Sequence, residues 1–200
     1  MNAQPTHEVR TDDGVTIRAT VQGQGPPLVF LQGVMGDGDL DWQALVPYLA
    51  DRFTCHLPSM RGRGRSDDHP NVRIDRIGTD YATYVESLAE PVGLVGWSAG
   101  AGHALAVSSR SDAVSATVSY EPVVGTLMVE EERTRLLAAL TPGRELVEQG
   151  DLSGAMRAVA HVPDARACAI SGAGHAGPIT HPGVVAQELL GFLDAAFTST

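Results

Sequence analysis

The chain is poor in cysteine, poor in aromatic residues and short of positive charge, and the shortages remove whole classes of protein. Only two cysteines occur in 200 residues, Cys55 and Cys168, each inside a short apolar stretch. That number builds neither a disulfide framework nor a thiolate metal site, so buried free thiols are expected. Basic side chains number 14 against 24 acidic ones, a formal charge of −10. Nucleic-acid binders draw their affinity from neutralising phosphates, so nucleic acid is not an expected partner. No apolar run approaches the ~20 residues that span a bilayer. Residues Met1 to Arg10 also lack the charged-then-apolar pattern of a secretion signal. The expectation is a soluble cytoplasmic protein with no membrane partner.

What is present is a 43% hydrophobic, 19% charged chain, a balance that supports one packed core rather than a disordered segment. A single domain over residues 1–200 is expected at this length, with no internal repeat and no low-complexity linker. Val9 and Thr11, then Val15, Ile17, Ala19 and Val21, alternate around Asp13-Gly14 and predict a hairpin. Leu28 to Leu31, Phe53 to Leu57, Val92 to Val95, Val114 to Tyr120 and Ala165 to Ile170 read as short buried strands. Between them, Trp42, Leu45, Val46 and Leu49 recur at helical spacing, as do Ile74, Ile77, Tyr81, Tyr84, Val85 and Leu88. Further helices are expected from about Ala99 to Arg110, over 129–160 with a break near Thr141-Pro142-Gly143, and from Thr180, with Val185, Leu189, Phe192 and Leu193 as the last one's apolar face. Strands alternating with helices predict an α/β fold, a mostly parallel sheet with helices on both faces. The run Arg61-Gly62-Arg63-Gly64-Arg65, followed by acidic residues, reads as a structured loop rather than a phosphate-binding patch.

The chemistry centres on Gly96-Trp97-Ser98-Ala99-Gly100. A G-x-S-x-G pentapeptide is common by chance, and its meaning comes from sitting between a buried strand and a helix, as here. Its glycines allow a turn tight enough to hold the Ser98 hydroxyl out at a helix N-terminus. A serine hydroxyl needs a base of near-neutral pKa. His175 follows a strand on the glycine-rich loop Gly172-Ala173-Gly174-His175 and suits that role; His7, His56, His69 and His161 read as structural or exposed, His181 as a surface residue, and His103 as bordering the site. In a sheet architecture of this kind, the acid that orients such a histidine falls between nucleophile and base in chain order. Glu121, at the carboxyl end of a strand, fits, against the plainer reading of a carboxylate closing a strand end. Asp164 precedes its strand, while Asp151 and Glu130 to Glu132 fall in helical stretches. Gly33 follows the Leu28–Leu31 strand, and the N–H groups of Val34 and Ala99 are expected to form an oxyanion hole. Gly33, Met35 and Trp97 are candidate substrate contacts, with core packing an equal reading for Trp97.

Together these motifs resemble the α/β-hydrolase superfamily along nearly the whole chain. Pro26-Pro27-Leu28 through Gly33 resembles its first buried strand and oxyanion loop, Met60 to Asp67 its next loop, Val95 to Gly100 its nucleophile turn, and Gly172 through Pro182 its histidine loop and closing helix. Three features depart from the family. Gln32-Gly33 stands where His-Gly is usual, and Ser59 where an Asp precedes Arg-Gly. The interval 129–160 holds only helical pattern, so the cap and one late strand are expected to be reduced or missing, the helices being a remnant of the cap. The family's usual acid follows that late strand; some members, such as haloalkane dehalogenases, carry Glu at the earlier strand end instead, which matches Glu121, although their nucleophile is Asp. The resemblance implies a serine hydrolase cleaving an ester-like small-molecule substrate through an acyl-enzyme, with no cofactor or metal. Two alternatives stay open: a weakened scaffold that binds a small ligand or partner chain, and the same fold running carbon–carbon cleavage or perhydrolysis. A sheet edge bared by a missing strand predicts a homodimer there, or one made by exchange of the 129–160 helices.

Overall fold

The computed structural model describes residues 5–122, 170 and 173–198. The expected 129–160 helices, most of the Ala165–Ile170 strand, the reduced cap, Cys168 and His161 lie outside the described residues. The described elements belong to one compact unit drawn from residues up to Val123 and from Gly172 onward.

Among the described residues six strands form one sheet in the order β1-β2-β4-β3-β5-β6. Strands β1 (Thr6–Arg10) and β2 (Thr16–Gly23) make the expected antiparallel hairpin. Gly14 turns it in the left-handed region at φ 87°, where a side chain would be strained. Strands β3 (Pro27–Leu31), β4 (Thr54–Pro58), β5 (Val92–Trp97) and β6 (Val114–Tyr120) run parallel, joined to the hairpin through the antiparallel β2–β4 pair. Every residue of β3 is buried, the condition of a strand covered on both sides.

Strand alternation divides that cover. Val29 and Leu31 enter a core with Tyr81, Tyr84 and Val85 of helix α2 (Ile74–Glu86) and with Ala104 and Val107 of helix α3 (Ala99–Ser108). Phe30 turns to the other face, where its ring lies 5.2 Å from that of Trp42 at the end of helix α1 (Gly38–Trp42). Fully burying one such apolar side chain contributes about 1.5–3 kcal/mol.

One helix is shorter than its periodicity predicts. Trp42, Leu45, Val46 and Leu49 are all buried as expected, but α1 ends at Trp42 and a separate 3-10 turn covers Val46–Tyr48. Pro47 is the cause: it has no N–H to donate and its ring collides with the carbonyl four residues back. The C-terminal helix α5 (Pro182–Thr198) begins two residues later than the expected Thr180, behind a separate short helix α4 (Gly177–Thr180), because Pro182 can only begin a helix here. Val185, Leu189 and Leu193 of α5 are buried. Among the described residues no helix is long and apolar enough to cross a membrane.

The arginine-glycine run is a structured loop. Arg61 is buried and pairs with both carboxylate oxygens of Asp80 (2.6 and 2.9 Å) and of Asp13 (2.9 and 3.1 Å). Its guanidinium holds the Asp13 carboxyl well below the ordinary range. Arg65 lies 3.6 Å from Asp39. Ser59, in place of an Asp, accepts the Gly38 N–H at 3.2 Å, a buried bond that ties the start of α1 to the residue after β4.

Candidate active site

Strand β5 runs straight into α3, and Ser98 occupies the single residue between them. Its backbone sits at φ 56°, ψ −116°, a conformation that costs a non-glycine residue about 1–3 kcal/mol. Close packing imposes that turn. A Cβ on Gly96 would lie 2.3 Å from the Gly100 carbonyl oxygen, and one on Gly100 would lie 2.0 Å from the Leu31 oxygen. Only glycine fits either flank, which is the physical content of the pentapeptide. The Ser98 N–H donates to the Tyr120 carbonyl at 3.0 Å, tying the turn to the neighbouring strand end.

Loop 32–37 lies alongside. A Cβ on Gly33 would be 3.8 Å from both the Ser98 Cβ and the Trp97 ring. The Gly33 N–H is occupied, since it donates to the buried Asp41 carboxylate at 2.7 Å. Burial pushes the Asp41 carboxyl up; the Gly33 bond opposes that shift and the nearby Asp37 charge adds to it. From the other side Gln32, fully buried, donates to the Gly36 carbonyl at 2.7 Å and accepts the Met60 N–H at 2.9 Å. Glutamine at the position of the family's histidine therefore anchors the loop at both ends of one side chain. The N–H groups of Val34 and Ala99 make no hydrogen bond among the described residues, and Ala99 opens α3, where N–H groups lack intrahelical partners. Met35 stands 88% exposed. Arg63 donates to the Val34 carbonyl at 3.4 Å.

The third component comes from the far end of the chain. His175 Nδ1 lies 2.6 Å from Glu121 Oε2, both side chains about half-exposed. Glu121 directly follows β6 and, like Ser98, has positive φ, at 45°. With Nδ1 engaged by a carboxylate, Nδ1 carries the proton and Nε2 is left as the basic nitrogen. His175 Nε2 and Ser98 Oγ share no hydrogen bond in this structure, a common condition of such sites without substrate. The loop around His175 is held through its main chain: Tyr120 donates its hydroxyl to Gly174 O at 2.9 Å, and Trp97 donates its indole N–H to His175 O at 2.6 Å.

His103 does not border this constellation. It is buried with its ring 5.6 Å from that of Tyr81, and burial lowers its pKa to about 4. Sequence reasoning missed Asp41 and Tyr120. The signal for Asp41 was an acidic residue beside Trp42 on an apolar helical stretch; for Tyr120 it was an aromatic with a polar tip just before the candidate acid.

The alpha/beta hydrolase fold family model matches residues 26–144, more than half of the sequence. The chain belongs to the alpha/beta hydrolase family. An uncharacterized protein of Mycobacterium tuberculosis is 33% identical over 108 residues, covering 52% of this chain and 30% of that protein. Pyrrolizixenacetamide deacetylase of Xenorhabdus hominickii is 30% identical over 91 residues, covering 44% of this chain and 34% of the enzyme. The chain thus spans about a third of the length of the curated relatives it matches. Among solved structures, E-2-(acetamidomethylene)succinate hydrolase superposes with a TM-score of 0.68 over 96% of this chain and 100% of that one, at 18% identity. That likeness speaks to the fold alone.

Proposed function

We propose that this member of the alpha/beta hydrolase family is a serine hydrolase that cleaves an ester-like bond in a small-molecule substrate through an acyl-enzyme on Ser98. The observation that carries the reading is the joint geometry of two strained strand ends. Ser98 is held at φ 56° beneath a helix N-terminus, and Glu121, at φ 45°, hydrogen-bonds His175 at 2.6 Å.

In this mechanism Ser98 Oγ attacks the acyl carbonyl while His175 Nε2 takes its proton, and Glu121 stabilises the resulting imidazolium. The oxyanion receives the Val34 and Ala99 N–H groups, each worth roughly 3 kcal/mol at the transition state. His175 then returns the proton to the leaving alkoxide. Water, activated by the same nitrogen, releases the acid and restores the serine. Gly33 and Met35 border the acyl group, and no cofactor enters any step. The relative named as a deacetylase supports acyl transfer as the class of reaction.

The test is hydrolysis of p-nitrophenyl acetate by the purified chain, with mass spectrometry of the serine peptide under rapid quench. Ser98→Ala should lower kcat by at least about 10³-fold, given that loss of such a nucleophile costs up to ~10⁶. Turnover that survives the substitution, or an acetyl group found elsewhere, overturns the reading.

A further inference from the structure

Strands β5 and β6 end in register, with Trp97 opposite Tyr120. Each of these aromatics is followed by a residue of positive φ, Ser98 in one strand and Glu121 in the other. Each also carries a polar tip, and the two tips reach the same loop at consecutive carbonyls, Tyr120 at Gly174 O and Trp97 at His175 O. Side-chain packing reinforces both contacts. The Trp97 ring lies 5.7 Å from the His175 ring at 46°, and is backed by Trp42 at 6.2 Å. Tyr120 is pressed against Gly177, where an added Cβ would lie 2.1 Å from the phenolic oxygen.

We propose that Trp97 and Tyr120 are paired positioning residues that clamp the main chain of the histidine loop, setting His175 against Glu121. The inference rests on the serine-hydrolase reading above, and it moves Trp97 from wall of the acyl site to support of the base. The loop brings His175 from about fifty residues beyond Glu121 in the chain, and the Glu121–His175 contact is half-exposed. A hydrogen bond open to solvent on both sides competes with water and is too weak to fix a side chain alone. Two main-chain anchors on adjacent carbonyls remove the freedom of that peptide to swing or tilt. A misplacement of about 1 Å at a general base costs on the order of 10²-fold in rate, so a partial loosening is visible in turnover.

The clamp and the wall predict different kinetics. Trp97→Phe and Tyr120→Phe each keep a ring and remove one donor. Each should lower kcat for p-nitrophenyl acetate about 10-fold with KM unchanged within about twofold, since the ground state loses nothing and the transition state loses alignment. The double variant should lose about 30-fold rather than 100-fold, because the two residues hold one loop and their effects are not independent. A rise in KM at constant kcat for Trp97→Phe, or kcat unchanged in both variants, overturns the clamp. A second measurement is independent of turnover. In a Ser98→Ala background, nitrogen NMR of His175 should report the proton on Nδ1, and each Phe variant should shift the resonances toward mixed tautomers. Resonances that stay put overturn the proposal. Should Ser98→Ala retain activity, the hydrolase reading falls, while the tautomer measurement still decides the clamp.

Discussion

The two sides of the site are held by opposite means. On the candidate oxyanion side the main anchors are buried side chains: Asp41 takes the Gly33 N–H, and Gln32 spans from Gly36 O to Met60 N. Arg61, one residue on, is locked between Asp80 and Asp13. On the histidine side the anchors sit at the surface, as hydrogen bonds from Trp97 and Tyr120 and one between the half-exposed His175 and Glu121. Buried polar groups are costly to leave unpaired, whereas exposed ones find water at little cost. The oxyanion side is therefore coupled to folding, and the histidine side to alignment.

Substitutions separate the two couplings. The largest stability loss should come from Arg61→Met, about 3 kcal/mol, because the buried Asp80 keeps only Arg76 at 3.1 Å as a cationic partner. Urea unfolding monitored by tryptophan fluorescence measures it. Asp41→Ala should follow at about 2 kcal/mol, since it strands a buried N–H that was bound to a carboxylate, and Gln32→Ala at about 1–2 kcal/mol. Tyr120→Phe should cost under about 1 kcal/mol in the same assay while still lowering kcat. If Tyr120→Phe unfolds the chain as readily as Asp41→Ala, the division between the two sides fails.

Acid should act on the same division. Burial lowers His56, with a smaller contribution from the His7 charge, and His103 to about 4. Unfolded histidines take up protons near 6.5. Between pH 6.5 and 4 the unfolded chain thus binds more protons than the folded one, so stability falls as pH drops through that window and levels off below it. The loss should reach about 2–3 kcal/mol for each histidine. His103→Gln should flatten the slope of the urea midpoint against pH by roughly half; an unchanged slope removes His103 as a source. His56 lies on β4 and His103 on α3, so acid weakens the sheet and the helix that Ser98 opens.

The skeleton of the site is legible in the sequence because its parts are local. Asp13-Gly14 announces a hairpin, the apolar runs announce buried strands, and Gly96 and Gly100 can only flank a turn too close-packed for a side chain. The approach of Glu121 to His175 was readable from chain order and strand ends. What stayed hidden depends on partners distant in sequence. Nothing in the spelling of Gln32 says that it reaches both Gly36 and Met60, and nothing in Trp97 says that its N–H faces a carbonyl 78 residues on. The shortened first helix shows the opposite error: apolar spacing identified Trp42, Leu45, Val46 and Leu49 correctly as buried, but Pro47 decides where that helix can run, as Pro182 sets where the last one begins.

The positive φ values of Ser98 and Glu121 carry a consequence for how the chain would drift under selection. At both positions glycine would relax the backbone, and the gain should be about 1 kcal/mol at each. Selection for heat resistance alone would therefore erase the proposed nucleophile and the proposed acid together, as Ser98→Gly and Glu121→Gly. On the proposed mechanism, the melting temperature and the activity are set in opposition at the same two residues.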